Sequence, residues 1–192
     1  FKSIKKLANN DLISGFTTNP TLMRKSGVTD YKKFALNVLK VVEKKPISFE
    51  IFADEFDQMY NQAITISKWS ENVNVKIPIT NTKGQSSIDL IRDLSKLGVK
   101  LNITAVFTMK QIEDLSDALN LNTYSIVSVF AGRIADTGVD PIPMMKQAKS
   151  ILNKSNIDLL WASPREILNI FQAEECGTDI ITLTIDMLNK LE

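Results

Sequence analysis

The sequence predicts an α/β fold built on a parallel sheet, and three observations carry that expectation. Short apolar runs rich in Val, Ile, Phe and Thr recur at regular spacing, as strands do. Amphipathic stretches with apolar residues three and four apart lie between them. The two kinds alternate from end to end, which is the order of repeated strand-helix units.

The chain opens on a helical pattern at Ile4, Leu7 and Ala8, and the first strand is expected over Ile13–Thr18. The strands expected after it are Ile47–Phe52, Val73–Ile79, Val99–Phe107, Ser125–Phe130, Asp158–Ser163 and Asp179–Ile185. Helices are expected at Tyr31–Val42, with Phe34, Val38 and Val41 on one face, and at Asp54–Trp69, with Met59, Ala63 and Ile66. Ser87–Leu97, Met109–Leu119, Pro143–Leu152 and Ile167–Ala173 continue the series.

An open doubly wound sheet and a closed barrel both satisfy this alternation. Neither Gly-rich nucleotide fingerprint, GxGxxG or GxxxxGK(S/T), is present, so a (β/α)8 TIM barrel is the preferred architecture. Seven strand runs do not close such a barrel. Because the chain starts on a helix and without Met, strand one is expected to precede Phe1. No linker, solenoid repeat or low-complexity tract interrupts residues 1–192, so a single barrel domain, shortened at its N-terminus, is expected.

Composition narrows the function. The chain has 192 residues, 44% of them hydrophobic, enough for one sizeable core. Lys and Arg number 23 against 22 Asp and Glu, with no polybasic run, so nucleic acid is not an expected partner. With one cysteine, Cys176, and no histidine, an internal disulfide framework and His-based triads are excluded, and the ordinary zinc, iron and copper sites lose their main ligands. No apolar run approaches the ~18 residues of a membrane span, and Phe1, Lys2 and Ser3 do not open a signal peptide. A cytoplasmic location and no membrane partner are expected.

Polar residues within or just past the strand runs come in pairs two apart: Thr17 and Asn19, Asn102 and Thr104, Ser163 and Arg165. Strand alternation puts each pair on one face. Together with Glu50 and Lys76 they fall late in their strands, where parallel barrels build their functional face, so they are expected to converge on one mouth. Lys76, in Asn-Val-Lys-Ile-Pro-Ile-Thr, is expected to be buried between Val75 and Ile77. Desolvation penalises an ammonium and can bring a lysine down from pKa ~10.4 to where its amine is a nucleophile. The ordinary alternative is a lysine that snorkels at the strand end or pairs with a carboxylate such as Glu50.

Five motifs occur in order: Gly15-Phe16-Thr17-Thr18-Asn19-Pro20, Val75-Lys76-Ile77-Pro78, Asn102-Ile103-Thr104, Val129-Phe130-Ala131-Gly132-Arg133-Ile134 and Ala162-Ser163-Pro164-Arg165. In this order the chain resembles the transaldolases over nearly its whole length. The resemblance implies that Lys76 forms a Schiff base with a ketose phosphate, while Glu50 and Thr104 position a water that shuttles protons. It implies that Thr17, Asn19, Asn102, Ser128 and Phe130 line the sugar, and that Arg133, Ser163 and Arg165 take its phosphate. Guanidinium groups suit that last task because they bind phosphate oxygens bidentately. Arg133, Ser163 and Arg165 otherwise read as solvated surface, Glu50 as half of an ion pair, and Asn19 as an Asn-Pro turn cap.

Family members also carry an aspartate on strand one, and this sequence does not contain it; Asp11 lies in the later helix-to-strand turn. The neighbouring fructose 6-phosphate aldolase branch typically has glutamine and tyrosine where this chain has Glu50 and Phe130, so transfer rather than cleavage is expected. The reaction so implied needs no metal or organic cofactor, its partners are sugar phosphates, and a homo-oligomer is expected. A non-catalytic phosphosugar-binding barrel would keep Arg133 and Arg165 but has no use for Lys76.

Overall fold

A computed structural model describes residues 2–19, 23 and 27–191, and Pro20 of the first motif lies outside that set. Its contacts gather into two units, Phe1–Lys76 and Ile77–Glu192. The sequence, which has no linker, does not announce this division.

In the first unit α1 (Lys2–Leu7), β1 (Phe16–Thr17), α2 (Tyr31–Leu39), β2 (Ile47–Glu50) and α3 (Phe56–Ser67) lead into β3 (Val73–Pro78). The strands are parallel, with Thr17 opposite Ser48, Ser48 opposite Asn74, and Glu50 opposite Lys76. Partners across a parallel ladder share a face, so Ser48, Glu50, Asn74 and Lys76 lie on one side. Ile47, Phe49, Val73 and Val75 form the other side and are buried. The helices bury Ala35 and Val38 of α2 and Met59, Ala63 and Ile66 of α3, the stripe that their spacing predicts. Asp30 starts α2 by accepting from the Lys33 backbone N–H at 2.9 Å.

An aromatic group braces the end of β2. The Tyr31 ring sits edge-on to Phe52 at 4.6 Å, Trp69 at 5.8 Å and Phe49 at 6.1 Å between centroids. Its hydroxyl donates to the Glu50 carbonyl at 3.0 Å. Burial pushes that hydroxyl up to about 12.

The second unit contains α4 (Ile88–Lys96), β4 (Leu101–Val106), α5 (Met109–Ala118), β5 (Ser125–Val129), α6 (Ala131–Asp136), α7 (Ile142–Leu152), β6 (Ile157–Trp161), α8 (Leu168–Glu175), β7 (Ile180–Ile181) and α9 (Ile185–Leu188). Strands β4 to β7 pair in parallel in chain order. One face buries Val127, Val129, Leu159 and Trp161. The opposite face carries a small cluster, Ile126, Leu160 and Ala162, flanked by Tyr124, Phe130 and Ile180. The register of β4 shifts between Ile103 and Val106, and Ala105 takes φ 60° there. Such a bulge is a common way to re-aim a side chain beside a site.

Two expectations need correction in this unit. The last strand does not reach Ile185, which opens α9, because Thr184 caps that helix through its hydroxyl by accepting from Met187 N–H at 3.3 Å. Helix α6 was not expected: with 6 residues it offers too little length for periodicity to register. The α/β class and the parallel strands joined by helices stand as expected.

Candidate functional site

In the first unit Glu50 closes β2 and Lys76 lies late in β3, directly across the ladder from it. The Lys76 Nζ sits 3.0 Å from Glu50 Oε2 and 3.4 Å from the Thr18 carbonyl. The two side chains are only 13% and 19% exposed, so this ion pair is held largely out of water. The lysine is therefore partly buried rather than fully so, and it has the carboxylate partner of the ordinary alternative. Thr17 and Asn19 are both exposed, with Thr18 buried between them and donating its hydroxyl to the Ser48 carbonyl at 3.0 Å.

Ser48 and Asn74, 3% and 2% exposed, are polar residues the sequence reading passed over. They share the face of Glu50 and Lys76 one repeat earlier in each strand. Their signal was the two-residue spacing to those residues, the same spacing that singled out Asn102 and Thr104.

In the second unit the Ser128 hydroxyl donates to Asn102 Oδ1 at 2.7 Å, joining two buried polar residues on neighbouring strands. Thr104, at the bulge, is 3% exposed, and its Oγ1 is buried with no hydrogen-bond partner among the described residues. The hydroxyls of Ser87, Ser125 and Thr178 share that state.

Beyond the strand ends, the segment after β6 and helix α6 come together. Gly132 lies so near the Ser163 carbonyl that an added Cβ would stand 1.6 Å from that oxygen, and only glycine fits. Ser163 itself takes φ 59°. Asn169 accepts from the Arg165 backbone N–H at 2.7 Å and from Glu166 N–H at 3.2 Å, fixing the turn into α8. The Arg133 guanidinium lies over the Phe130 ring at 5.2 Å from its centroid. Phe130 in turn meets Phe107 edge-on at 5.4 Å. The Arg165 guanidinium pairs with Asp136 at the end of α6, its Nε donating to both carboxylate oxygens at 3.0 Å and its Nη2 to Oδ2. That hydrogen bond holds the Asp136 carboxyl below the usual carboxylate range.

The first unit thus gathers Glu50 with Lys76, and the second gathers Asn102 with Ser128 and Phe130, Arg133, Ser163 and Arg165 around α6. Among the described residues no helix is long and apolar enough to cross a membrane. No group of His, Cys, Asp and Glu among them could hold a metal ion.

A parallel α/β fold with an ion-paired lysine on one strand and arginines past the ends of others can host many chemistries, and comparison with known proteins narrows them. The family described as Transaldolase/Fructose-6-phosphate aldolase matches residues 1–192. A probable transaldolase of Carboxydothermus hydrogenoformans is 33% identical over 99% of this chain and 85% of its own. One of Dehalococcoides mccartyi is 34% identical over the same shares, and probable transaldolase 2 of Listeria monocytogenes is 32% identical over 98% and 83%. A solved dihydrodipicolinate synthase of Rhodopseudomonas palustris aligns with 94% of this chain and 63% of its own, at TM-score 0.45 and 11% identity. The chain belongs to the transaldolase/fructose-6-phosphate aldolase family.

Proposed function

We propose that this protein is a transaldolase that moves a dihydroxyacetone unit from a ketose phosphate, sedoheptulose 7-phosphate or fructose 6-phosphate, to an aldose phosphate. The observation that carries this reading is the Lys76 amine 3.0 Å from Glu50 Oε2, in a family of transaldolases and aldolases.

In this mechanism the Lys76 amine gives up its proton and attacks C2 of the ketose, and loss of water leaves a protonated imine. Glu50 and the Thr104 hydroxyl hold the water that carries protons through imine formation and hydrolysis; the unpartnered Oγ1 of Thr104 supports that assignment. The C4 hydroxyl gives up its proton to a general base, the imine draws in the electron pair as the bond between C3 and C4 breaks, and the aldose phosphate departs. The enamine left on Lys76 attacks the aldehyde of a second aldose phosphate, and hydrolysis frees the new ketose. Arg133, Ser163 and Arg165 bind the phosphate, Thr17, Asn19, Asn102 and Ser128 bind sugar hydroxyls, and Phe130 bounds the sugar. Phe130 has no hydroxyl with which to hasten protonation of the enamine, which favours transfer over release.

The test uses the purified protein. Borohydride added with fructose 6-phosphate should fix a three-carbon adduct on Lys76, read by peptide mass. With erythrose 4-phosphate present, sedoheptulose 7-phosphate should form faster than dihydroxyacetone appears without an acceptor. An unlabelled Lys76 peptide would defeat the mechanism, and equal rates would make the enzyme an aldolase.

A further inference from the structure

Arg165 reaches out from the turn between β6 and α8 with its side chain 47% exposed. A long guanidinium at that exposure samples many rotamers in water, and binding an anion with it requires that freedom to be given up. One residue, 29 positions earlier in the chain, limits that freedom. The Asp136 carboxylate grips the side edge of the fork, Nε to both oxygens and Nη2 to Oδ2. A carboxylate on the Nε and Nη2 edge fixes the plane of the guanidinium and leaves the Nη1 and Nη2 end edge pointing onward. That end edge is itself a bidentate phosphate fork.

The backbone around this pair is fixed on both sides. Asp136 is the last residue of α6, whose second residue, Gly132, is seated on the Ser163 carbonyl. Arg165 is tied at its own N–H by Asn169 Oδ1, and Asn169 is 7% exposed. Carboxylate and guanidinium therefore meet through short, well-anchored segments.

We propose that Asp136 is the positioning residue of Arg165, holding its guanidinium by the side edge so that the end edge receives the phosphate of the sugar substrate. The inference rests on the assignment of Arg165 to the phosphate under Proposed function. A carboxylate beside a phosphate site can also act as a competing counter-ion, and the two effects have opposite signs. Both partners here are about half exposed, so their mutual attraction is screened and an anion displaces little by competing with it. The gain from a pre-set plane remains, so positioning outweighs competition.

The test is calorimetric titration of the full-length protein with fructose 6-phosphate and with fructose. Asp136→Asn should weaken fructose 6-phosphate binding by about three- to tenfold and leave fructose unchanged. Asp136→Glu, which keeps the carboxylate, should recover part of the loss. The KM for fructose 6-phosphate should rise with the binding constant while kcat stays within about twofold, a split that general loss of folding does not produce. Unchanged or tighter binding of fructose 6-phosphate by Asp136→Asn overturns the proposal, and so does equal weakening of both ligands. Failure of borohydride trapping at Lys76 strikes the reaction mechanism instead and leaves this contrast readable.

Discussion

In each unit one ion pair holds a candidate site residue, and these two pairs differ in burial and in what they join. Lys76 and Glu50 are 13% and 19% exposed and face one another across a strand ladder, whereas Arg165 and Asp136 are 47% and 51% exposed and join a turn to a helix end. A largely buried charge depends on its partner, because removing either side leaves the other desolvated and unmatched. An exposed pair can lose a member with little cost to folding, so what it contributes is geometry. The buried pair suits chemistry that moves a proton, and the exposed pair suits a ligand that comes and goes.

The largest expected effect breaks the buried pair. Lys76→Met should lower turnover by about a thousandfold or more, because it removes the amine on which the proposed imine forms. It should also destabilise the protein by about 3 kcal/mol in urea unfolding, because Glu50 is left without its cation. Adding Glu50→Gln should return most of that stability and none of the activity. Additive losses in the double variant would show the pair to be uncoupled.

The exposed pair should respond the other way. Arg165→Ala should leave the unfolding midpoint where it is and weaken phosphorylated donors about ten- to a hundredfold relative to unphosphorylated ones, the worth of a charge-assisted bond. Steady-state kinetics with fructose 6-phosphate and fructose reads this, and parallel losses on both would count against the phosphate role.

The smallest effect sharpens the description of the first unit. Tyr31 braces β2, and its folded value of about 12 lies above the ordinary 10.0. The neutral ring is the form the folded state favours, so its contribution is whole below pH ~10 and fades as pH rises toward about 12. Between pH 8 and 11 the wild type should therefore lose about 1 kcal/mol that Tyr31→Phe does not lose. Parallel pH curves for the two proteins would rule this out.

The long periodic elements were legible because period is what burial imposes on a sequence. Helices α3 and α5 and strands β3 and β5 fall within two residues of their expected bounds. Lys76 and Glu50 were legible as charged residues in apolar strands, and their partnership was one of two readings that only the register could separate. Asp136 was not legible. It sits on a helix too short to announce itself, and nothing in the local pattern ties it to an arginine 29 residues on. Likewise Thr184 reads as strand by its flanking Ile and Leu residues, and only the hydrogen bond to Met187 makes it a cap. What the sequence hides here is pairing between distant segments and local capping that overrides propensity.

The seat of Gly132 on the Ser163 carbonyl has a consequence for how this protein can change over generations. With no room for even one more carbon between them, the α6 segment that bears Arg133 and the turn that bears Arg165 are locked into joint inheritance. An insertion or a bulkier residue on one side survives only with a matching change on the other. The close fit therefore ties the spacing of the two arginines to a single backbone contact. An engineer seeking altered substrate length would do better to randomise Ser163 and Arg165 together and leave position 132 untouched.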